Sequence, residues 1–297
     1  MIVVFSMTKS KKEKSAERVS KLVSIFKCPL CNSSMDVVDL KSLICGNNHT
    51  FDFAKQGYIN LLTRPTRSHY KKDLFEARHK IIMGSSLYTP LHEMIRNVIK
   101  KQIDLSLAPF TMLDVGCGEG SHLQKIIEGE ELPAIGIGLD ISKDGILLAA
   151  KRYENSIWLV GDLAKSPFVD QSFHIILNIL SPSNYKEFQR LLVRDGLVIK
   201  VVPRPNYLKE LREVLYEGKK KRVYQNDDIV SLFKKHFPLL DVLSLRDTKN
   251  IDKKELKYLV EMTPLAWSSD QARIDAFINR DSTEVTIDLE ILVGINK

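Results

Sequence analysis

The sequence predicts an α/β fold: a mostly parallel β-sheet with helices on both faces, preceded by a small metal-binding module. Three observations predict it. From about residue 109, short apolar runs alternate with helical segments, the pattern of βαβ units whose right-handed crossovers place helices on both faces of a parallel sheet. The first of those runs ends in a cluster of glycines. Three of the chain's four cysteines fall in one short window near the N-terminus.

Taken in order, residues 1–26 read as a flexible basic leader, with a weak helical pattern in Val19, Leu22, Val23 and Phe26. Residues 27–62 combine cysteines, turn residues and aromatics and read as the metal module. Residues 63–108 start with an exposed linker carrying Pro65 and the basic Arg64, Arg67, Lys71 and Lys72. Helices follow it, with Leu74, Ala77, Ile81 and Ile82 at helical spacing, then Leu91, Met94, Ile95, Val98 and Ile99 after Pro90. The rest, 109–297, is one α/β domain. Its strands are expected at 110–115, 134–139, 157–160, 173–180 and 197–202, with helices such as 143–152 and 184–192 between them. Near the C-terminus Val285, Ile287, Leu289, Ile291 and Val293 alternate with Thr286, Asp288 and Glu290. Period two with one polar face predicts an antiparallel strand near a sheet edge, with 238–245 as its partner.

Composition narrows the function. At 297 residues, with 44% hydrophobic and 27% charged residues, the chain is no disordered polymer. No apolar stretch reaches about 18 residues, so no membrane-spanning helix is expected. The apolar start, Met1 to Phe5, precedes Lys9, Lys11 and Lys12, the reverse of a secretory signal. A cytoplasmic protein is expected. The net charge of +7 is compatible with a polyanionic partner.

Cys28, Cys31, Cys45 and His49 stand as C-x2-C-x13-C-x3-H, a spacing that reads as a tetrahedral Zn²⁺ site. Pro29 stiffens the first turn, and Gly46 is expected to let the second fold tightly. So small a module has too little core to fold unaided, so the metal supplies folding energy. Four protein ligands leave no open position, which makes the ion structural. Disulfides or unliganded thiols are the alternatives, and a cytosolic chain disfavours the former.

Asp114-Val-Gly116-Cys117-Gly118-Glu119-Gly120 follows the first strand and opens a helix. The third glycine comes two residues after the second, not three as in the dinucleotide fingerprint. Ser121 and His122 stand where a P-loop has lysine and a hydroxyl. A turn without ligand is the remaining alternative. Asp114, the spaced glycines and Asp140 at the end of the next strand favour S-adenosylmethionine, which has no phosphates and whose ribose diol an acid can bind. Asp114 either holds the loop or faces the amino-acid end of that cofactor. Asp162 stands where an adenine amino group would be read, or is a plain turn residue. Cys117, between glycines, needs no redox role.

These segments resemble one family. Cys28-Pro-Leu-Cys31, Ile44-Cys45 to His49 and Phe51-Asp-Phe-Ala-Lys-Gln-Gly-Tyr-Ile-Asn-Leu-Leu62, with the glycine loop, Gly138-Leu-Asp140-Ile-Ser-Lys143 and Met262-Thr-Pro-Leu-Ala-Trp267, resemble the RlmA-type 23S ribosomal RNA (guanine-N1)-methyltransferases. The Gram-positive branch of that family includes macrolide (tylosin) resistance enzymes. The resemblance runs from about residue 27 to the C-terminus. It implies a class I methyltransferase fold with a seven-stranded, mostly parallel sheet. It implies methyl transfer from S-adenosylmethionine to N1 of a guanine in a 23S rRNA hairpin loop, and a dimer whose zinc modules help form the RNA cleft. Tyr88 matches a family residue at the cofactor. Tyr207 falls where the family has another cofactor contact, often a histidine.

The expected cofactor set is therefore Tyr88, Asp114, Gly116, Cys117, Gly118, Glu119, Gly120, Asp140, Asp162, Asn178 and Tyr207. Asn178 and Ser181, at the end of the fourth strand, either hydrogen-bond the base edge or cap the strand. The polar-Pro-Pro-aromatic string of amino-group methyltransferases is absent. No carboxylate declares itself as general base, and the catalytic residue stays unassigned. Arg64, Arg67, Lys71, Lys72 and Lys55 are expected to meet phosphates, while Tyr58 or Phe51 stacks on a base or packs in the module core. A methyltransferase for a small molecule or a protein, and an RNA-binding adaptor without catalysis, are the competing readings.

Overall fold

The computed structural model describes residues 9–65, 70–104, 109–128, 132–217 and 226–297. The five apolar runs become β5 (Phe110–Val115), β6 (Ala134–Asp140), β7 (Ile157–Val160), β8 (Phe173–Ile179) and β9 (Leu192–Pro203). Every residue of β5 and β7 is buried, as a sheet covered on both faces requires. β5 pairs in parallel with both β6 and β8, β6 with β7, and β8 with β9. Chain direction along the sheet therefore reverses at β5 and β8, and the crevice at such a switch point is where open α/β sheets bind ligands.

β10 (Leu239–Asp252) and β11 (Ser282–Ile295) complete one side, both antiparallel to their neighbours. The polar face of β11 is not turned to water. Thr286 and Asp288 are buried. Glu210, on α7 (Lys209–Leu215), accepts from the Thr286 amide at 2.9 Å and its hydroxyl at 2.6 Å. Asp288 accepts from the Asn206 amide at 3.1 Å. Paired polar groups replace the solvent face that alternation predicts.

The sheet order is β10-β11-β9-β8-β5-β6-β7-β4. Seven of these strands are the expected ones. The eighth, β4 (Tyr58–Asn60), comes from the metal module and lies parallel to β7, with Ile59 opposite Leu159. The rest of the module is a small sheet of β1 (Met35–Val38), β2 (Ser42–Cys45) and β3 (Thr50–Asp52). Alternate residues of the main strands face two cores. Met112, Ile175 and Ile199 pack under helices on one face. Leu113, Ile176 and Val198 share the other core with Phe26, Cys28, Phe53 and Ile59.

Where it is described, the leader is helical and packed against the sheet domain. α1 (Lys11–Ser20) begins with a capping box of Ser10 and Glu13, which satisfies helix-end amides. Ala16 and Val19 are fully buried. Lys14 pairs with Glu154 at 3.0 Å, and Phe26 packs on Phe168 with ring centroids 5.5 Å apart. The stripe that burial demands here is short and built partly from Ser15 and Ala16, so hydrophobic periodicity under-reports it.

On the helical face, α2 (Lys72–Gly84) and α3 (Thr89–Gln102) precede the sheet, and α4 (Ser121–Glu128) follows the glycine loop. α5 (Lys143–Arg152) and α6 (Tyr185–Leu191) connect later strands.

Candidate active site

The four predicted ligands converge. Cys28 Sγ lies 3.5 Å and Cys45 Sγ 3.4 Å from His49 Nδ1, and Cys31 Sγ lies 3.7 Å from Cys45 Sγ. All four donor atoms fall within 4.8 Å of one another. Zinc–sulfur bonds of about 2.3 Å arranged tetrahedrally give edges of about 3.7 Å, so the donors fit the ion. The Ser33 hydroxyl, 2.9 Å from Cys31 Sγ, helps bring that thiol down to about 5, while burial raises Cys28. Turn geometry differs from expectation in one respect. The left-handed residues of the two knuckles are Asn32 and Asn48, whose amides donate to the carbonyls of Cys28 and Cys45. Gly46 is not left-handed and has open space around it.

The glycine loop follows from backbone demands. Gly116, Gly118 and Gly120 all have positive φ. A Cβ on Gly116 would lie 2.8 Å from that of Ser181, and one on Gly120 would lie 2.4 Å from the Trp158 ring. Only glycine fits. Asp140 fastens the loop to the next strand: its carboxylate accepts from the Gly118 amide at 2.8 Å and the Ser142 amide at 2.7 Å. Each oxygen keeps acceptor capacity for a diol. Burial raises Asp140 and carries Asp114 up to about 7, Arg78 opposing it in both. Burial pushes the Cys117 thiol well up, so it is inert. Glu119 is fully buried, 3.1 Å from Arg78 Nε.

Tyr88 and Tyr207, 119 residues apart, meet hydroxyl to hydroxyl at 2.6 Å. They border a cavity of about 710 Å³, with Arg78, His122, Lys200 and Met262 also on its wall. Arg78, His122 and Lys200 escaped sequence reasoning. The one visible signal was Lys200 itself, a lysine inside the apolar run Leu197-Val-Ile-Lys-Val-Val202. His122 Nδ1 pairs with His92 Nε2 at 2.8 Å.

In two places the geometry favours one of the alternatives. Asn178 is fully buried, and its amide nitrogen is taken by the Ser181 hydroxyl at 2.6 Å and the Pro182 carbonyl at 3.0 Å. Its oxygen accepts from Lys200 at 2.7 Å and Ser183 at 2.8 Å. Ser181 donates to the Val115 carbonyl at 2.8 Å. These contacts brace the β8 end, because a buried amide must satisfy all its bonds locally, while Ser181 also borders the cavity. Tyr58 is buried and Phe51 is half-buried against the core, the packing alternative for both.

Asp162 caps a 3-10 turn at Leu163–Lys165, accepting from the Ala164 amide at 2.9 Å, beside a shallow cleft also bordered by Ser183 and Asn184. It stands at the end of β7, next to the strand that ends in Asp140. Arg64 and Tyr70 border another cleft with Ile141 and Ser142. Arg67 lies outside the described residues. Tyr70 also meets the 54% exposed Trp267, ring centroids 5.4 Å apart.

A family profile described as the RlmA N-terminal zinc ribbon matches residues 26–67, and a methyltransferase-domain profile matches 112–196. A Bacillus subtilis chain named for 23S rRNA guanine-N(1) methylation, YxjB, is 44% identical over 92% of this chain and 97% of its own length. The 23S rRNA (guanine(748)-N(1))-methyltransferase of Streptomyces fradiae is 31% identical over 84% of this chain and 88% of its own. A Micromonospora griseorubida chain named for the same N(1) chemistry is 28% identical over 90% and 95%.

Proposed function

Since the chain belongs to the RlmA-type family of 23S rRNA (guanine-N1)-methyltransferases, we propose that it transfers the methyl group of S-adenosylmethionine to N1 of a guanine in a hairpin loop of that RNA. The observation that carries this reading is the joining, in one sheet, of a three-cysteine, one-histidine ribbon and a glycine-loop cleft. The exposed basic residues beside the ribbon favour RNA over a small molecule, and the intact glycine loop with Asp140 favours catalysis over an adaptor.

The zinc ion is structural, held by Cys28, Cys31, Cys45 and His49. The residues at the strand ends suit the methyl donor: Asp140 would take the ribose diol, Gly116 to Gly120 would line its path, the exposed Ile141 would pack on the adenine and Asp162 would read its amino group. Asp114, Glu119, Arg78, Tyr88 and Tyr207 would hold the amino-acid end. When bound, S-adenosylmethionine supplies an electrophilic methyl group on a cationic sulfur. The protein's own part is positioning and exclusion of water, worth several kcal/mol when reacting atoms are held near 3 Å. A loop base is extruded into the 710 Å³ cavity at modest cost.

RNA is gripped by phosphate contacts from the exposed Lys55, Arg64, Lys71 and Lys72. Trp267 and Tyr70 offer an exposed stacking surface near the cleft. The dimer implied by the family brings two ribbons to one RNA. No described helix is long and apolar enough to cross a membrane, and action on ribosomal RNA supports a cytoplasmic location.

Primer extension on deproteinised 23S rRNA, treated with enzyme and cofactor, tests the reading. N1-methylguanine blocks pairing and stops the polymerase at one hairpin position. Unmodified RNA would refute it.

A further inference from the structure

The cavity beside the glycine loop contains a lysine that the fold does not neutralise. Lys200 lies on β9 opposite Asn178 of β8 and is 4% exposed. Its Nζ donates to Asn178 Oδ1 at 2.7 Å and Ser183 Oγ at 2.6 Å, with the Ser181 carbonyl at 3.4 Å. All three partners are neutral. A lysine buried without an anion is costly, and burial brings this one down to about 8.

Guanine N1 carries a proton at neutral pH, and it must leave before N1 can attack a methyl group. No aspartate or glutamate among the described residues lines the cavity. Its other ionisable wall residues are Arg78 from α2, Tyr88 before α3, His122 from α4, and Tyr207, Arg212 and Tyr216 on and around α7. Arg78 is paired with Glu119. His122 is bonded to His92, and burial holds it well below its ordinary value. Burial raises Tyr88 and Tyr207. Arginine is effectively never deprotonated.

We propose that Lys200 is a catalytic residue: its neutral amine accepts the N1 proton of the target guanine, and the ammonium so formed holds the negative charge of the guanine anion. The assignment rests on the guanine-N1 reading above. The N1–H bond breaks and a bond to Nζ forms. The N1 electron pair then bonds the methyl carbon, and the carbon–sulfur pair returns to sulfur, leaving a neutral thioether. The ammonium afterwards releases its proton to water. In the neutral amine Asn178 and Ser183 take the two hydrogens, and in the ammonium the third hydrogen gains the Ser181 carbonyl at 3.4 Å, so these contacts accommodate the proton once it is taken.

Single-turnover methylation of deproteinised 23S rRNA across pH 6–9.5, in wild type, Lys200→Met and Lys200→Arg, tests this, with N1-methylguanine read by primer extension and cofactor affinity by calorimetry. The wild-type rate rises with pH and levels off near 8. Lys200→Met lowers it about 10²–10⁴-fold, the usual share of general acid–base catalysis, with cofactor affinity unchanged. Lys200→Arg keeps a cation but does not restore the rate. An arginine variant with wild-type rate and pH profile would overturn the proposal, since charge alone would then suffice. So would a methionine variant that stays fast, or a wild-type rate flat across pH 6–9.5. A wild type that leaves N1 unmodified would overturn the substrate reading and this one with it, whereas N1 methylation that is indifferent to Lys200 overturns this one alone.

Discussion

Gly138→Ala isolates the contact on which the glycine loop rests. Gly138, on β6, faces the indole of Trp158, which also lies against Gly120. A Cβ at 138 would stand 2.4 Å from Trp158 Cζ3 and 2.9 Å from Cys117 Sγ. Carbon atoms settle at about 3.5–4.0 Å, so the ring must move by about 1 Å. It has little freedom to do so: it is 1% exposed, and its Nε1–H donates to the Tyr153 carbonyl at 2.8 Å. Overpacking of this kind costs about 1–3 kcal/mol, a fall in Tm of about 2–12 °C for a domain of this size. Because Gly120 leans on the same ring, the loop shifts too, and a displacement of about 1 Å can cost up to about 100-fold in function. Cofactor affinity, measured by calorimetry well below Tm, should therefore fall more than stability alone explains. Trp158→Phe trims the ring, so in the double variant the two changes should couple by at least about 1 kcal/mol. Additivity within about 0.5 kcal/mol would refute the reasoning, as would an alanine variant as stable as wild type.

Three further outcomes are expected. Chelation, or Cys45→Ser, should lower the melting temperature of the whole chain in a single transition, because ribbon and sheet share a core; a melting curve indifferent to chelator, in protein free of metal by elemental analysis, would contradict the zinc assignment. Asp114 is raised from 3.8 to about 7 by burial, so its folded form binds a proton that the unfolded chain releases. Its contribution to stability is full below about pH 4 and is lost as pH rises through about 7. Asp114→Asn should flatten that part of the curve in urea titrations at several pH values, and an unchanged slope would count against it. Trp267→Ala should weaken RNA binding about 5- to 150-fold, the worth of one stacked base, with cofactor affinity intact. Equal RNA affinity in a filter-binding assay would remove Trp267 from the interface.

What the sequence revealed follows from the range of each signal. The ribbon ligands and the glycine loop are local strings whose spacing carries their geometry, and the structure assembles them as spaced. The strands at 110–115 and 157–160 coincide with their apolar runs. Strand β4 has three residues, too few to show a period, so its place in the main sheet was invisible. α1 gave only a weak helical pattern because small residues do much of its packing. Arg78, His122 and Lys200 reach the cavity from three separate elements, and no local pattern announces a convergence of that kind. Asn178 shows the converse: a polar residue at the right strand end, with every bond already spent inside the fold.

The pairing of β4 with β7 has a mechanical corollary. A substrate grasped at the ribbon is grasped at a fixed offset from the blade of the tool, since three backbone rungs rivet the handle to it. The enzyme then measures as a caliper does. Which of two neighbouring nucleotides meets the methyl group would be decided by the length and curl of the RNA between jaw and tip.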